Sequence, residues 1–176
     1  MKRICVFCGS ASGKDEKYLS LAQKVGEIIA SKNYGLVYGG GKVGLMGTVA
    51  NAVMAGRQEV IGVIPKNLVS NEVAHREVTQ LHIVEDMHER KEMMYNFSDA
   101  FLVLPGGMGT LDEMFEILTW AQLKLHSKPV YVLNEFGFFD SLINFIKHSN
   151  TQGFIRDEHL NLFKILNNVN DLQGAL

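Results

Sequence analysis

The sequence predicts an α/β fold, a doubly wound parallel sheet of six to seven strands with helices on both faces, in a single domain of residues 1–176. Short apolar segments alternate along the chain with longer segments in which apolar residues recur every three or four positions, as in an amphipathic helix. Strands that are apolar throughout are typical of parallel sheets, which are buried on both faces. Three predicted strands end in glycine-rich turns, and ligands of such sheets bind beyond the carboxyl ends of the strands.

The predicted elements follow one another in strand–helix order. The strands comprise residues 4–8, 35–38, 60–64, 81–84, 101–104 and 130–133, with a seventh candidate at 163–166. Helical periodicity is found over residues 18–29, 45–55 and 111–123, after the strand at 130–133 and at the end of the chain. A further helix is expected to start at Asp86, because Asp86 and Glu89 have the spacing of an N-terminal cap.

Composition indicates a globular protein without a nucleic-acid or membrane partner. The 176 residues are 47% hydrophobic and 20% charged, and the formal net charge of −2 provides no basic surface for nucleic acid. No apolar segment has the length of a bilayer span, and the first residues lead into a strand pattern rather than a signal peptide. We therefore expect a cytoplasmic protein.

Cys5 and Cys8 form a C-x-x-C sequence inside the first predicted strand. Residues three positions apart on a strand point to opposite faces of the sheet, so this pair predicts neither a redox motif nor half of a metal site. No second cluster of cysteine and histidine supplies further ligands, and the six histidines are scattered. We therefore predict two core residues and no metal ion.

The most informative segment is Pro105-Gly106-Gly107-Met108-Gly109-Thr110, between a predicted strand and a predicted helix. A glycine-rich turn at this place brings backbone N–H groups and the positive end of the helix dipole together, and such a point binds phosphate. Glu113 lies one turn further along the same helix. Because a carboxylate beside an anion site is unfavourable unless its charge serves chemistry, Glu113 is a candidate catalytic residue.

Structural interpretations compete with this functional one. Thr110 and Glu113 have the spacing of a capping box, in which two side chains bond to free N–H groups at a helix start. The charged run at residues 86–94, which includes Arg90 and Lys91, has the spacing of ion pairs on a solvated helix face. Taken alone, each feature favours the structural interpretation. Their occurrence together with two further glycine-rich turns favours function.

Those two turns match nucleotide-binding motifs only in part. Gly39-x-Gly41-x-x-Gly44 has the dinucleotide fingerprint, but the next strand ends in Pro65-Lys66 without the acidic residue that holds a ribose hydroxyl. Residues 9–14 resemble a P-loop that is one residue short, and Asp15 stands where a magnesium-binding Ser or Thr belongs. These departures disfavour NAD and ATP and leave a nucleotide with a single phosphate.

Together these segments resemble the cytokinin-activating "Lonely guy" (LOG) family, whose members were long named lysine decarboxylases. The resemblance covers about residues 3–156, and its motifs include Phe7-Cys8-Gly9-Ser10, Tyr38-Gly39-Gly40-Gly41, Gly44-Leu45-Met46-Gly47, Met87-His88-Glu89-Arg90-Lys91 and the run from Pro105 to Glu113. Its most specific part is the Arg-Lys pair followed by Pro-Gly-Gly-x-Gly-Thr-x-x-Glu. Asp112 stands where relatives often have Glu.

The resemblance implies a Rossmann-like fold and a phosphoribohydrolase that cleaves the N-glycosidic bond of an adenosine 5′-monophosphate. The products would be ribose 5-phosphate and the free base, a cytokinin where N6 is prenylated. Arg90 and Glu113 are then the expected catalytic pair. The candidate substrate-binding residues are Gly9, Ser10, Gly40, Gly41, Glu72, Arg90, Lys91, Gly106, Gly107, Met108, Gly109, Thr110 and Thr119.

The residue types suit this chemistry. Cleavage of a ribosyl C–N bond builds positive charge on the sugar, and a carboxylate at Glu113 would stabilise that charge or orient the attacking water. Phosphate binding in the turn at residues 106–110 would position the sugar, while the guanidinium of Arg90 suits either the phosphate or the carboxylate. No cofactor is expected, since pyridoxal phosphate would require a Schiff-base lysine and no lysine stands out.

Other functions and assemblies stay open. A non-catalytic nucleotide or molybdenum-cofactor carrier would use the same turns, although it gains nothing from a carboxylate beside its anion. The sequence does not rank AMP against prenylated AMP. The resemblance implies a homodimer, with a higher oligomer as the alternative, and Met87, Met93, Met94 and Phe97 lie on more than one side of their helix. Alternatively, Met93 and Met94 pack against the core of their own chain.

Overall fold

A computed structural model describes residues 1–69 and 74–176. The described residues form seven strands: β1 (Arg3–Phe7), β2 (Gly35–Tyr38), β3 (Val60–Pro65), β4 (Gln80–Val84), β5 (Ala100–Val103), β6 (Val130–Leu133) and β7 (Lys164–Leu166). Their α-helices are α1 (Lys17–Ser31), α2 (Gly44–Ala55), α3 (Met87–Asn96), α4 (Met108–Gln122), α5 (Asp140–Thr151) and α6 (Val169–Ala175). The predicted α/β fold is confirmed, and the tail supplies the seventh strand.

All neighbouring strands pair in parallel, in the order β4-β3-β2-β1-β5-β6-β7. The chain builds outward from β1 to β4 and then crosses back to place β5 on the other side of β1. Strand order therefore reverses between β1 and β5, which is where such sheets bind ligands. The N–H of Gly9 donates to the carbonyl of Pro105 at 3.0 Å, so the turns after β1 and β5 are joined at this point.

Helices cover both faces of the sheet. Helices α1, α2 and α6 pack on one face, and α3, α4 and α5 pack on the other. Alternate residues of β1 enter opposite cores, with Ile4 and Val6 in the first and Cys5 and Phe7 in the second. Cys8 lies in the first core, so the two buried free thiols occupy opposite sides of the sheet, as predicted.

The starts of α3 and α4 bear on the functional hypotheses. Asp86 caps α3, as predicted, because its carboxylate accepts from the amides of His88 and Glu89. The alternative interpretation of Thr110 and Glu113 as a capping box is wrong, because α4 begins at Met108 with Gly107 in the cap position. Both residues therefore lie inside the helix, and the cap interpretation of Glu113 no longer competes with a functional one.

None of the helices formed by the described residues combines the length and the hydrophobicity that crossing a bilayer requires.

Candidate active site

A cleft of about 180 Å³ opens at the carboxyl edge of the sheet, where strand order reverses. It is lined by residues from β1 and its turn, from the turn after β2, from α2 and α3, and from the start of α4: Val6, Cys8, Gly9, Ser10, Gly39, Met46, Arg90, Gly107, Met108, Gly109, Thr110 and Glu113. The structure thus brings together the predicted catalytic pair and most of the predicted phosphate turn.

The first turn of α4 forms one wall of the cleft. The N–H groups of Met108, Gly109 and Thr110 precede the first helical hydrogen bond, and no acceptor within the described residues bonds to them. Met108 and Gly109 are exposed, whereas Thr110 is buried at the base of this turn. Free amides at the positive end of a helix dipole bind anions.

Gly106 precedes this wall and has to be glycine. A Cβ atom on Gly106 would lie 2.0 Å from the hydroxyl oxygen of Thr110 and 2.9 Å from the amide nitrogen of Gly9. Gly106 therefore lets the turns after β1 and β5 approach each other closely.

The other glycine-rich helix start, at α2, is already occupied by the protein itself. The amides of Leu45 and Met46 both donate to the carbonyl of Gly9, at 3.1 Å and 3.3 Å. These bonds use the donors that a dinucleotide pyrophosphate would need in this motif. The geometry agrees with the sequence argument against NAD, and among the two glycine-rich helix starts it leaves the amides of α4 without an acceptor in the described residues.

Arg90 projects from α3 into the floor of the cleft and is only 6% exposed. Its Nε donates to the carbonyl of Val63 at 3.2 Å, and its Nη2 donates to the carbonyl of Gly39 at 3.1 Å. A Cβ atom on Gly39 would lie 2.0 Å from Nη2, so only glycine allows this approach. Arg90 is therefore a fixed buried cation and not part of a solvated helix face.

Glu113 faces Arg90 from the second turn of α4 and is 9% exposed. The distance between Arg90 Nη1 and Glu113 Oε1 is 3.9 Å. Burial, followed by the negative charge of Glu113, raises the pKa of the Cys8 thiol, which lines the same cleft. The cleft therefore combines the start of helix α4 with a buried carboxylate and a buried guanidinium.

Gly40, Gly41 and Thr119, which were also predicted to bind substrate, are not among the residues that line this cleft. Gly40 and Gly41 pair with the segment after β3, through His75 and Ala74 respectively. Thr119 lies about three turns beyond the start of α4, where its hydroxyl donates to the carbonyl of Phe115 at 2.7 Å. Glu72 lies outside the described residues.

Lys91 also lies outside the cleft, in a groove between α3 and α4. It pairs with Glu116 at 3.0 Å and with Asp112 at 3.3 Å. Although partial burial opposes its charge, these two hydrogen bonds raise the pKa of Lys91. The departure from the family pattern at Asp112 thus falls on the side of α4 that faces Lys91.

Comparison with known proteins decides the family. A family model described as "Possible lysine decarboxylase" matches residues 46–176. The cytokinin riboside 5′-monophosphate phosphoribohydrolase LOG1 of Arabidopsis thaliana is 50% identical over 154 residues, which are 88% of this chain and 72% of LOG1. A protein of the same description from Rhodococcoides fascians is 47% identical over 155 residues, which cover 88% of this chain and 78% of that protein. The chain belongs to the LOG family.

Solved structures with similar folds carry a different description. The molybdenum cofactor binding protein of Rippkaea orientalis has a TM-score of 0.73 and 22% identity, covering 99% of this LOG-family chain and 95% of that chain. The molybdenum cofactor carrier protein of Chlamydomonas reinhardtii has a TM-score of 0.74 and 20% identity, covering 99% and 96%. At this identity the likeness establishes the Rossmann-like fold alone.

Four lining residues of this LOG-family cleft were not among the predicted site residues: Val6, Cys8, Gly39 and Met46. Cys8 and Met46 are hydrophobic residues with core periodicity, and the sequence contains nothing that separates a core position from a cleft wall. Gly39 was recognisable, because it is the first glycine of the fingerprint. Within residues 1–69 and 74–176, no group of three His, Cys, Asp or Glu side chains is arranged to hold a metal ion.

Proposed function

We propose that this chain is a phosphoribohydrolase that cleaves the N-glycosidic bond of adenosine 5′-monophosphates, plain or N6-prenylated, and releases the base and ribose 5-phosphate. The observation that carries the proposal is the buried carboxylate of Glu113 in the same cleft as the free amides of α4. The relatives at about 50% identity are named cytokinin riboside 5′-monophosphate phosphoribohydrolases, which supports the reaction type and the prenylated substrate.

In the proposed complex the 5′-phosphate binds at the start of α4. The amides of Met108, Gly109 and Thr110 supply donors, and the helix dipole supplies positive potential. Because Glu113 lies one turn further along the same helix, a nucleotide held by its phosphate has its sugar directed into the cleft. Fixing the sugar in this way lowers the entropic part of the barrier.

The bond cleavage needs charge stabilisation more than proton transfer. As the C1′–N9 bond breaks, its electron pair leaves with the purine, and the ribose ring gains positive charge. The carboxylate of Glu113 stabilises that charge or orients the water that attacks C1′. The water's oxygen bonds to C1′, and its proton is transferred to the departing base.

Arg90 is assigned to holding the carboxylate. Its Nε and Nη2 donate to backbone carbonyls of the protein, while Nη1 is the nitrogen 3.9 Å from Glu113. Such a guanidinium is a rigid positive charge that fixes the orientation of the neighbouring carboxylate. The alternative role proposed from sequence, phosphate binding by Arg90, is less compatible with these backbone bonds.

The test is direct. Purified protein is incubated with AMP, with N6-prenylated AMP and with the matching nucleosides, and free bases are separated by chromatography. The proposal expects release from the monophosphates and far less from the nucleosides, because phosphate binding energy positions the sugar. A ligand that binds without any base release would support the carrier hypothesis instead.

We further propose that the active form is at least a homodimer in which the outer faces of α3 and α4 meet. Met94 is buried in the core of its own chain, and Met93 and Phe97 pack against that core. These apolar residues of α3 are therefore not available for a dimer interface. The support comes instead from large apolar residues exposed on or just after α4: Phe115, Leu123 and Leu125. Lys91 and Thr119, both implied to bind substrate, lie outside their own cleft and would serve the partner's.

Mixed subunits test this arrangement. Because Arg90 and Glu113 share one cleft within a chain, variants at these two positions should not complement each other. Lys91→Ala and Glu113→Gln subunits should regain activity on mixing, since one hybrid site receives both intact residues. A single-chain mass by light scattering, or no recovery on mixing, would contradict the shared site.

A further inference from the structure

Ala74 and His75, which lie shortly before β4, are bonded to the turn that follows β2. The amide of His75 donates to the carbonyl of Gly40 at 2.9 Å, and Ala74 forms an antiparallel bridge with Gly41. His75 is only 2% exposed, although it lies in a connection between strands. A buried, fully engaged histidine in such a connection requires a structural or functional reason.

The ring of His75 bonds on both sides. Its Nδ1 lies 3.0 Å from Glu77 Oε2, and its Nε2 lies 2.9 Å from Asn51 Oδ1 on α2. Glu77 also accepts from Lys42 Nζ at 2.5 Å. The hydrogen bond from Lys42, with further bonds from the Glu77 amide and His75, lowers the pKa of Glu77 to about 2. The carboxylate accepts only, so Nδ1 of His75 carries the proton of the shared bond.

These bonds connect His75 to the catalytic cleft through two residues of the chain. The carbonyl of Gly39, next to Gly40, accepts from Nη2 of Arg90 at 3.1 Å. Because a Cβ atom on Gly39 would lie 2.0 Å from Nη2, there is little space for that backbone to shift without displacing the guanidinium. The path therefore runs from the backbone amide of His75 to Gly40, then to Gly39 and to Arg90, and the imidazole holds that backbone in place through Asn51 and Glu77.

We propose that His75 is a positioning residue for Arg90. The imidazole holds the turn after β2 between α2 and the segment after β3, through Asn51 on one side and Glu77 with Lys42 on the other. The turn after β2 then keeps the carbonyl of Gly39 in place to accept the hydrogen bond from Nη2 of Arg90. The kinetic consequence rests on the proposed function, whereas the structural consequence for Arg90 does not.

The NMR signal of the Arg90 Nε–H tests the role of His75 directly. If His75 only stabilised the fold, its replacement would leave this signal unchanged in the folded protein. The Nε–H donates to the buried carbonyl of Val63, so its proton should exchange slowly and give a distinct signal in 15N-resolved NMR spectra. In His75→Leu, assayed well below its thermal midpoint, we expect loss of this protection and a fall in kcat of between about tenfold and about a hundredfold. KM should change much less, because the amides of α4 are untouched.

Two further variants keep the inference testable if His75→Leu does not fold. His75→Asn retains a donor toward Glu77 and should recover most of the protection and of kcat. Glu77→Gln weakens the same link from the other side and should lower both. Its matched control is Glu59→Gln, since Glu59 also pairs with a cation, Arg3 at 2.7 Å, but precedes β3 at the opposite edge of the sheet.

Folded His75→Leu or Glu77→Gln with an unchanged Arg90 signal would overturn the inference, and so would equal effects of Glu77→Gln and Glu59→Gln. If the wild-type protein releases no base, the proposed function fails, while the NMR comparison still decides the role of His75.

Discussion

Arg90 and Glu113 come from different helices and meet across the floor of one cleft, with Nη1 and Oε1 3.9 Å apart and both side chains nearly buried. Burying a charge is costly unless it is paired, so this arrangement is maintained by specific contacts. Backbone carbonyls of Val63 and Gly39 hold the arginine, and the early start of α4 sets the glutamate one turn beyond the free amides. Arg90 and Glu113 therefore lie in the same cleft as the free amides at the start of α4, next to any ligand held by those amides.

Gly109→Ala should separate stability from substrate binding. A Cβ atom on Gly109 would meet no protein atom within 4 Å, so the variant fits the fold. Replacing a helical glycine by alanine should raise the free energy of unfolding by about 0.5–1 kcal/mol. The new methyl group would nevertheless stand beside the amides assigned to the phosphate, and KM for the 5′-monophosphate should rise.

Gly174→Ala is the matched control, since Gly174 is also helical, in α6, with no protein atom within 4 Å of an added Cβ atom. It should be stabilising with an unchanged KM. An unchanged KM in Gly109→Ala would place the phosphate elsewhere.

Tyr38→Phe should leave the protein as stable as before or make it more stable. Tyr38 is 1% exposed, and its hydroxyl has no hydrogen-bond partner within the described residues. Because an unsatisfied buried polar group costs about 1–3 kcal/mol, its removal should raise the free energy of unfolding by about 1 kcal/mol in urea titrations. A loss of stability in this variant would reveal a partner for the hydroxyl.

The Lys42–Glu77–His75 network should contribute to stability only above the acid range. The pKa of Glu77 is about 2 in the folded protein, against about 4.3 in an unfolded chain, so the unfolded state binds the proton more readily. The stabilisation is complete above the unfolded value and is lost as pH falls from there toward 2. Thermal midpoints of Glu77→Gln should therefore fall less steeply than those of the wild type over this range, and parallel curves would contradict the assignment.

Both thiols should react slowly in the native protein. Burial, followed by the negative charge of Glu113, raises the pKa of Cys5 and of Cys8. Less thiolate is then available at about pH 8, and a disulfide reagent should label the protein quickly only in denaturant. Glu113→Gln removes the charge next to Cys8, which lines the cleft, and should speed its labelling.

The sequence predicted the elements well because each has a local signal. Continuous apolar strands indicated a sheet covered on both sides, and Asp86 marked the start of α3. The start of α4 was predicted three residues late, because glycines are poor helix formers and the apolar pattern begins only at Leu111. That displacement produced the incorrect capping box at Thr110 and Glu113.

The composition of the site was harder to predict than the fold. Arg90 resembled a surface charge by sequence, and only the crossing of α3 over the carboxyl ends of β2 and β3 brings it beneath Gly39 and Val63. The role of the amides at α2 was equally hidden, since the Gly9 carbonyl that occupies them is about 35 residues away in sequence. Contacts between distant segments decide both cases, and no local pattern encodes them.

The central claim is that the negative charge of Glu113 serves bond cleavage, and Glu113→Gln tests it most directly. This variant keeps the size of the side chain, so its thermal midpoint should stay near that of the wild type. Its control is Glu27→Gln, an exposed glutamate on α1 that bonds only to Gln23 among the described residues. Release of base from the 5′-monophosphate should fall by about a hundredfold or more in Glu113→Gln, as when one electrostatic element of a site is removed, and stay unchanged in Glu27→Gln. Wild-type rates in a well-folded Glu113→Gln would contradict the account.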